Sequence, residues 1–167
     1  MSENRYPKRK HPRLKDYDYS NNGYYFVTIC VKDKKPLLSK VVIGRDALIP
    51  PQIRLTPYGK VLKENIEKIN TKYANVKVDN YIIMPNHFHI MIVIDNGPLG
   101  GMKASRPTSL MTIVRTLKTM VTKAIGISIW QPSFYEEVIK SQQHYENAWN
   151  YIEYNALKEY SKENTEQ

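Results

Sequence analysis

Residues 76–94 read Val76-Lys-Val-Asp-Asn-Tyr-Ile-Ile-Met-Pro-Asn-His-Phe-His-Ile-Met-Ile-Val-Ile94, and this stretch decides the fold. Val76–Met84 is rich in β-branched and aromatic residues and predicts a strand. Pro85 has no amide donor, so Pro85-Asn86 breaks the pairing. His87–Ile94 then resumes as a further strand. Side chains alternate along a strand, so Phe88, Ile90, Ile92 and Ile94 can face a core while His87 and His89 point the other way.

Working towards the N-terminus, Gly23–Val31 is a second strong strand signal, with aromatic and β-branched residues after a turn. Pro36, Gly44, Pro50 and Pro51 break residues 32–54 into short pieces, read as a hairpin or an excursion. Thr56-Pro57 reads as an N-cap followed by proline in the first helical position. Tyr58, Leu62, Ile66, Ile69 and Tyr73 recur at spacings of four or three and predict one apolar helical stripe. Towards the C-terminus, residues 96–101 are a loop. A helix is expected over Thr108–Ile125, burying Leu110, Val114, Leu117, Val121 and Ala124, with Arg115, Lys118, Thr119 and Lys123 outward. Trp130–Ile139 reads as a strand. Ser141 is a plausible cap for a last helix that reaches about Lys158.

The order is strand, helix, strand, strand, helix, strand, helix. This is the α+β ferredoxin-like βαββαβ plan: an antiparallel sheet with helices on one face and an additional C-terminal helix. At 167 residues the chain suits one domain. Residues 1–15 read as a flexible basic arm, 16–160 as one folded domain and 161–167 as a frayed tail.

Composition excludes several classes. Hydrophobic residues make up 41% and charged residues 25%, which favours a packed core over disorder. No apolar run is long enough to cross a bilayer. The N-terminus is polar and basic without an apolar leader. The single cysteine, Cys30, rules out an internal disulfide and a multi-cysteine zinc site. The expected address is the reducing cytoplasm, with no membrane partner. Lys and Arg number 25 against 16 Asp and Glu, a net charge of +9 that suits a polyanionic partner.

Two groups of residues can carry chemistry. His87 and His89 share one side of a strand with Cα atoms roughly 6–7 Å apart, close enough for both imidazoles to reach one cation. The same spacing also describes two histidines with no ligand. In the last helix Tyr151 and Asn155 are four apart and share a face. A tyrosine hydroxyl there can act as a nucleophile and an amide oxygen as a metal ligand. Trp149, Ile152 and Ala156 fall where they would press the helix onto the sheet. Thirteen tyrosines occur in the chain, and most serve packing. Tyr154 and Tyr145 are competitors to Tyr151.

Taken together, Tyr81-Ile-Ile-Met-Pro-Asn-His-Phe-His-Ile-Met-Ile, Trp130-Gln-Pro-Ser-Phe-Tyr and Tyr151-Ile-Glu-Tyr-Asn-Ala-Leu-Lys resemble the single-tyrosine HUH transposases. The branch most alike is the repetitive-extragenic-palindrome-associated tyrosine transposases, and the resemblance runs from about Arg13 to Lys158. It implies a metal-dependent single-stranded DNA endonuclease and strand transferase that forms a 5′-phosphotyrosine. It implies His87 and His89 as a metal-binding pair, Asn155 as a third ligand and Tyr151 as nucleophile. Insertion-sequence relatives often carry glutamine where Asn155 stands. The implied cofactor is Mg²⁺ or Mn²⁺, and the implied partner is single-stranded or hairpin DNA, bound by a monomer or homodimer. Arg13, Arg106, Arg115 and Lys118 are the candidate phosphate contacts. The alternative is a non-catalytic nucleic-acid-binding domain on the same fold.

Overall fold

The computed structural model describes residues 13–43, 50–98 and 107–163, the last of these from 156 onwards as backbone only. Arg106, most of the basic arm and residues 164–167 lie outside the described residues. The described elements are β1 (Gly23–Cys30), β2 (Ser39–Val42), β3 (Gln52–Leu55), α1 (Pro57–Lys72), β4 (Val76–Ile83), β5 (His87–Ile94), α2 (Leu110–Ile125), β6 (Tyr135–Ile139) and α3 (Gln142–Glu163).

Four strands form one sheet in the order β4-β5-β1-β6, every neighbouring pair antiparallel. Leaving out the small β2–β3 pair, this is the strand order of the ferredoxin-like plan. The break at Pro85-Asn86 works as the sequence implies: the Met84 amide donates to the His87 carbonyl and β5 folds back along β4. The segment between β1 and α1 is the excursion, with β2 and β3 pairing as a separate two-stranded ribbon.

Alternation gives the sheet two different faces. The front face carries Tyr25, Val27 and Ile29 of β1 with Phe88, Ile90, Ile92 and Ile94 of β5, all essentially inaccessible. Leu62, Ile66 and Ile69 of α1 and Leu110, Ile113, Val114, Leu117 and Val121 of α2 cover it and complete the main core. The back face carries Phe26, Thr28, His87, His89 and Met91. Ala148 and Ile152 of α3 pack there against Met91, with Phe26, Ile82, Ile139, Tyr145 and Trp149 around them.

The helices end where the local chemistry requires. The Thr56 hydroxyl accepts from the Gly59 amide at 3.1 Å, and Pro57 follows. A Cβ at Gly59 would lie 1.9 Å from the Leu38 carbonyl oxygen, so only glycine lets α1 approach this closely. Gly126 closes α2 with φ +88°, a left-handed cap that glycine adopts without a steric penalty. Ser141 caps α3, its hydroxyl accepting from the His144 amide at 3.1 Å.

Three expectations are corrected in detail. The last strand is shorter than Trp130–Ile139: Pro132 cannot donate, Trp130 makes only an isolated bridge to Val31, and regular pairing starts at Tyr135. Ala124 is exposed, and Ile113 is buried in the α2 stripe instead. Lys118 does not simply face outward. It is half-buried and donates to the carbonyls of Gln131 and Ser133 at 2.8 and 2.9 Å, bracing the turn before β6. Burial lowers its pKa.

Candidate active site

β5 presents His87 and His89 on the back face, and a cross-strand partner for His89 and a sequence neighbour for His87 hold the two rings. Thr28 lies opposite His89 in the β1–β5 register, and its Oγ1 is 2.8 Å from His89 Nδ1. Asn86 Oδ1, a carbonyl oxygen, accepts from His87 Nδ1 at 2.6 Å. A neutral imidazole holding its proton on Nδ1 leaves Nε2 with a lone pair. The two Nε2 atoms face each other at 3.2 Å. Orientation of this kind by an outer partner is typical of metal-ligating histidines. His89 is only 1% exposed, and burial, followed by the neighbouring His87, pushes its pKa down to about 3. The His89 ring therefore stays neutral across the physiological range.

α3 brings the tyrosine to this pair. The Tyr151 ring stands edge-on to His89 with centroids 5.1 Å apart, and edge-on to Phe26 at 5.9 Å. Phe26 stacks on His89 at 5.2 Å and forms the floor between them. One turn on, Asn155 is 4% exposed and its Nδ2 has no hydrogen-bond partner among the described residues. Amide oxygen and nitrogen exchange places by a half-turn of χ2, so a lone pair can be offered from the same place.

The other tyrosines are placed differently. Tyr145 donates to Asp79 Oδ2 at 2.6 Å, and burial together with that bond pushes its pKa up to about 12. Tyr154 is 54% exposed on the outer side of α3. The register of α3 is set from β4. A bulge between Val78 and Asn80 places Asp79 and Asn80 towards the helix, where Asp79 accepts from Tyr145 and Asn80 donates to Glu153 Oε1 at 3.1 Å.

The donor set fits a divalent cation. Nitrogens 3.2 Å apart can both lie at a ligand distance of about 2.1 Å from one ion. Among the described residues no three His, Cys, Asp or Glu side chains cluster to hold a metal, so among them a third protein ligand would be an amide, hydroxyl or backbone carbonyl oxygen. Buried Asn155 is such a group.

The basic residues are not brought to this pair. Arg115 is exposed on α2, over the front face. Arg13 also lies towards the front: it pairs with the buried Glu136 at 2.5 Å, donates to the Phe134 carbonyl at 2.9 Å and lies 3.9 Å over the Phe134 ring. Arg106 lies outside the described residues. The roles of Thr28, Phe26, Asp79 and Tyr145 carried no signal in the sequence, because each acquires its role only through strand pairing or helix docking. Asn86 was visible beside His87 but its role was not.

The sequence model of the family described as "Transposase IS200 like" matches residues 19–155. The chain belongs to the IS200-like transposase family. The chain is thus a transposase, and the matched residues 19–155 take in the histidine pair, Tyr151 and Asn155. An uncharacterized protein of Haemophilus influenzae is 30% identical over 168 residues, covering 89% of this chain and 88% of its own. Among solved structures, a REP-associated tyrosine transposase bound to a REP hairpin aligns with a TM-score of 0.59. It is 23% identical over 88% of this IS200-like chain and 73% of its own, a likeness of fold. A putative transposase of Deinococcus radiodurans aligns at a TM-score of 0.45 and 16% identity, over 84% and 95% of the two chains.

Proposed function

We propose that this transposase cuts and rejoins single-stranded DNA, in hairpin or palindromic form, through a 5′-phosphotyrosine on Tyr151. The observation that carries this reading is the edge-on packing of Tyr151 against His89, whose Nε2 faces that of His87 at 3.2 Å. A nucleophile and a cation-binding pair are thus held over one patch of the back face.

The Tyr151 phenol loses its proton and its Oη bonds to phosphorus. The P–O3′ bond then breaks, and the departing oxygen takes up a proton as a free 3′-hydroxyl. The phosphodiester is exchanged rather than hydrolysed, so another 3′-hydroxyl can reverse the step at a new junction. His87, His89 and Asn155 would hold Mg²⁺ or Mn²⁺, with Thr28 and Asn86 fixing the two imidazoles. When bound, the ion supplies positive charge for the phosphate oxygens and the developing alkoxide. Phe26 shields one side of His89, and α3 packing keeps Tyr151 from turning away.

The test is covalent capture of a single-stranded hairpin oligonucleotide in Mn²⁺, read as a denaturant-resistant adduct. Tyr151→Phe removes only a hydroxyl and should abolish the adduct, whereas Tyr154→Phe should keep it. Peptide mapping that placed the nucleotide on Tyr154 or Tyr145 would overturn the assignment. Binding without any adduct would mark the chain as a non-catalytic DNA-binding domain.

A further inference from the structure

α3 leans over the β4 side of the back face, anchored to Asp79 and Asn80, and covers Ile139 at the far end of β6 but leaves the Tyr135 end of that strand exposed. On that open strip stands Tyr135, 61% exposed. It is the cross-strand partner of Thr28, which in turn lies opposite His89. The alternation of β6 puts Tyr135 on the same face as the histidines, while Glu136 turns to the front and is buried. Two strand spacings, about 10 Å, separate the Cα atoms of Tyr135 and His89. Among the described residues no hydrogen bond engages the Tyr135 hydroxyl and no ring packs on its face. Core packing therefore does not account for a large aromatic at this point.

We propose that Tyr135 is a stacking platform for an unpaired base of the bound strand, beside the phosphate that Tyr151 attacks. The inference rests on the single-strand reading above and adds where that strand lies. The chemistry selects the base over the backbone. Glu137, two residues on and on the same face, is exposed and, among the described residues, paired only with His144, at 3.1 Å. Its carboxylate disfavours a phosphate on this strip, while an aromatic face accepts any nucleobase. The strip is continuous with the histidine site through Thr28 and Phe26, so one strand can span both.

The experiment is a double-mutant cycle between protein and DNA, with the full chain in a Tyr151→Phe background so that binding is read without cleavage. Single-stranded oligonucleotides carry one abasic site at each position in turn. In the parent, one position near the cleavage point should lose about ten-fold in affinity. Tyr135→Ala should lose a similar factor on intact DNA and lose nothing more at that same position, while abasic effects elsewhere persist. Tyr135→Phe keeps the ring and should bind within about two-fold of the parent. Thermal melting of each variant separates lost stacking from lost folding, and Tyr135→Phe guards against an Ala variant that fails to fold. Unchanged affinity in Tyr135→Ala, or losses that add fully at every position, would overturn the platform. Covalent capture by the chain carrying Tyr151 is measured separately, so a failed nucleophile assignment leaves a distinct signature. A parent that binds no single strand would remove both proposals.

Discussion

At the scale of single residues, the site depends on groups that never touch the reacting atoms. Thr28 Oγ1 sits 2.8 Å from His89 Nδ1 and holds the ring angle; with the hydroxyl accepting, the proton stays on Nδ1 and Nε2 keeps its lone pair. Without that partner the buried imidazole can turn or carry its proton on Nε2, where it blocks ligation. Thr28→Val keeps the shape and removes the hydroxyl, so Mn²⁺ affinity should fall by about 10- to 100-fold. Titration calorimetry of the free protein checks this, and Thr28→Ser should restore most of the affinity. Equal affinity in Thr28→Val would show that the hydroxyl does not hold the ring. Arg13 poses the opposite question, because its charge is already engaged inside the molecule. Glu136 is 5% exposed and is held by Arg13 and by the Tyr19 hydroxyl at 2.6 Å. Arg13→Ala removes this ion pair from a buried carboxylate and should destabilise the fold by about 3 kcal/mol, read from denaturant unfolding. Weaker DNA binding in that variant is evidence for a contact only if measured where the variant is still folded.

At the scale of elements, α3 is the part whose placement matters most, and β4 controls it. The bulge after Val78 spoils regular pairing and turns Asp79 and Asn80 to the helix. Burial raises the Asp79 pKa, but hydrogen bonds from Lys77 and Tyr145 outweigh it and hold the carboxyl below its ordinary value. This contribution to stability is complete above the ordinary carboxylate pKa and is lost as pH falls through the lowered one. Asp79→Ala leaves the Tyr145 hydroxyl without its acceptor and loosens α3. Covalent capture should slow by about ten-fold or more, with the adduct still on Tyr151, because small misplacements of a nucleophile are costly. Undiminished capture would mean that Ala148, Ile152 and the Asn80–Glu153 bond suffice to set the register. The same element marks the limit of what the sequence discloses. The Pro85-Asn86 break, the alternation in His87–Ile94 and the Thr56-Pro57 cap are local signals, and each appears in the structure as read. The Tyr151–Asn155 spacing is also local, and it does put both on one stripe. The bulge at Asp79, the pairing of Thr28 with His89 and the inward turn of Lys118 depend on contacts between distant segments. No periodicity encodes them.

At the scale of the whole molecule, the main core and the proposed chemistry lie on opposite faces of one sheet. The main core lies in front, between β1, β5, α1 and α2, while the histidines, Tyr151 and Asn155 lie behind. Chelation with EDTA should therefore abolish capture and leave the far-ultraviolet circular dichroism unchanged, since the described main core is built from apolar side chains on the other face. The net charge of +9 acts on a longer range than either face. Counterions released from phosphates make binding fall linearly on a log–log plot against salt, with a slope of about −0.7 for each phosphate neutralised on a single strand. The chemistry further requires an accessible phosphate and, through Tyr135, an unstacked base. A hairpin with a single-stranded flank should then bind more tightly than a plain duplex of equal length at every salt concentration. The two should also differ in character. Duplex binding, which rests on charge alone, should nearly vanish at high salt, while the hairpin keeps a residual affinity from stacking that Tyr135→Ala removes. Equal affinity for duplex and hairpin across the series, or no salt dependence, would show that charge and the back face do not act together on one strand.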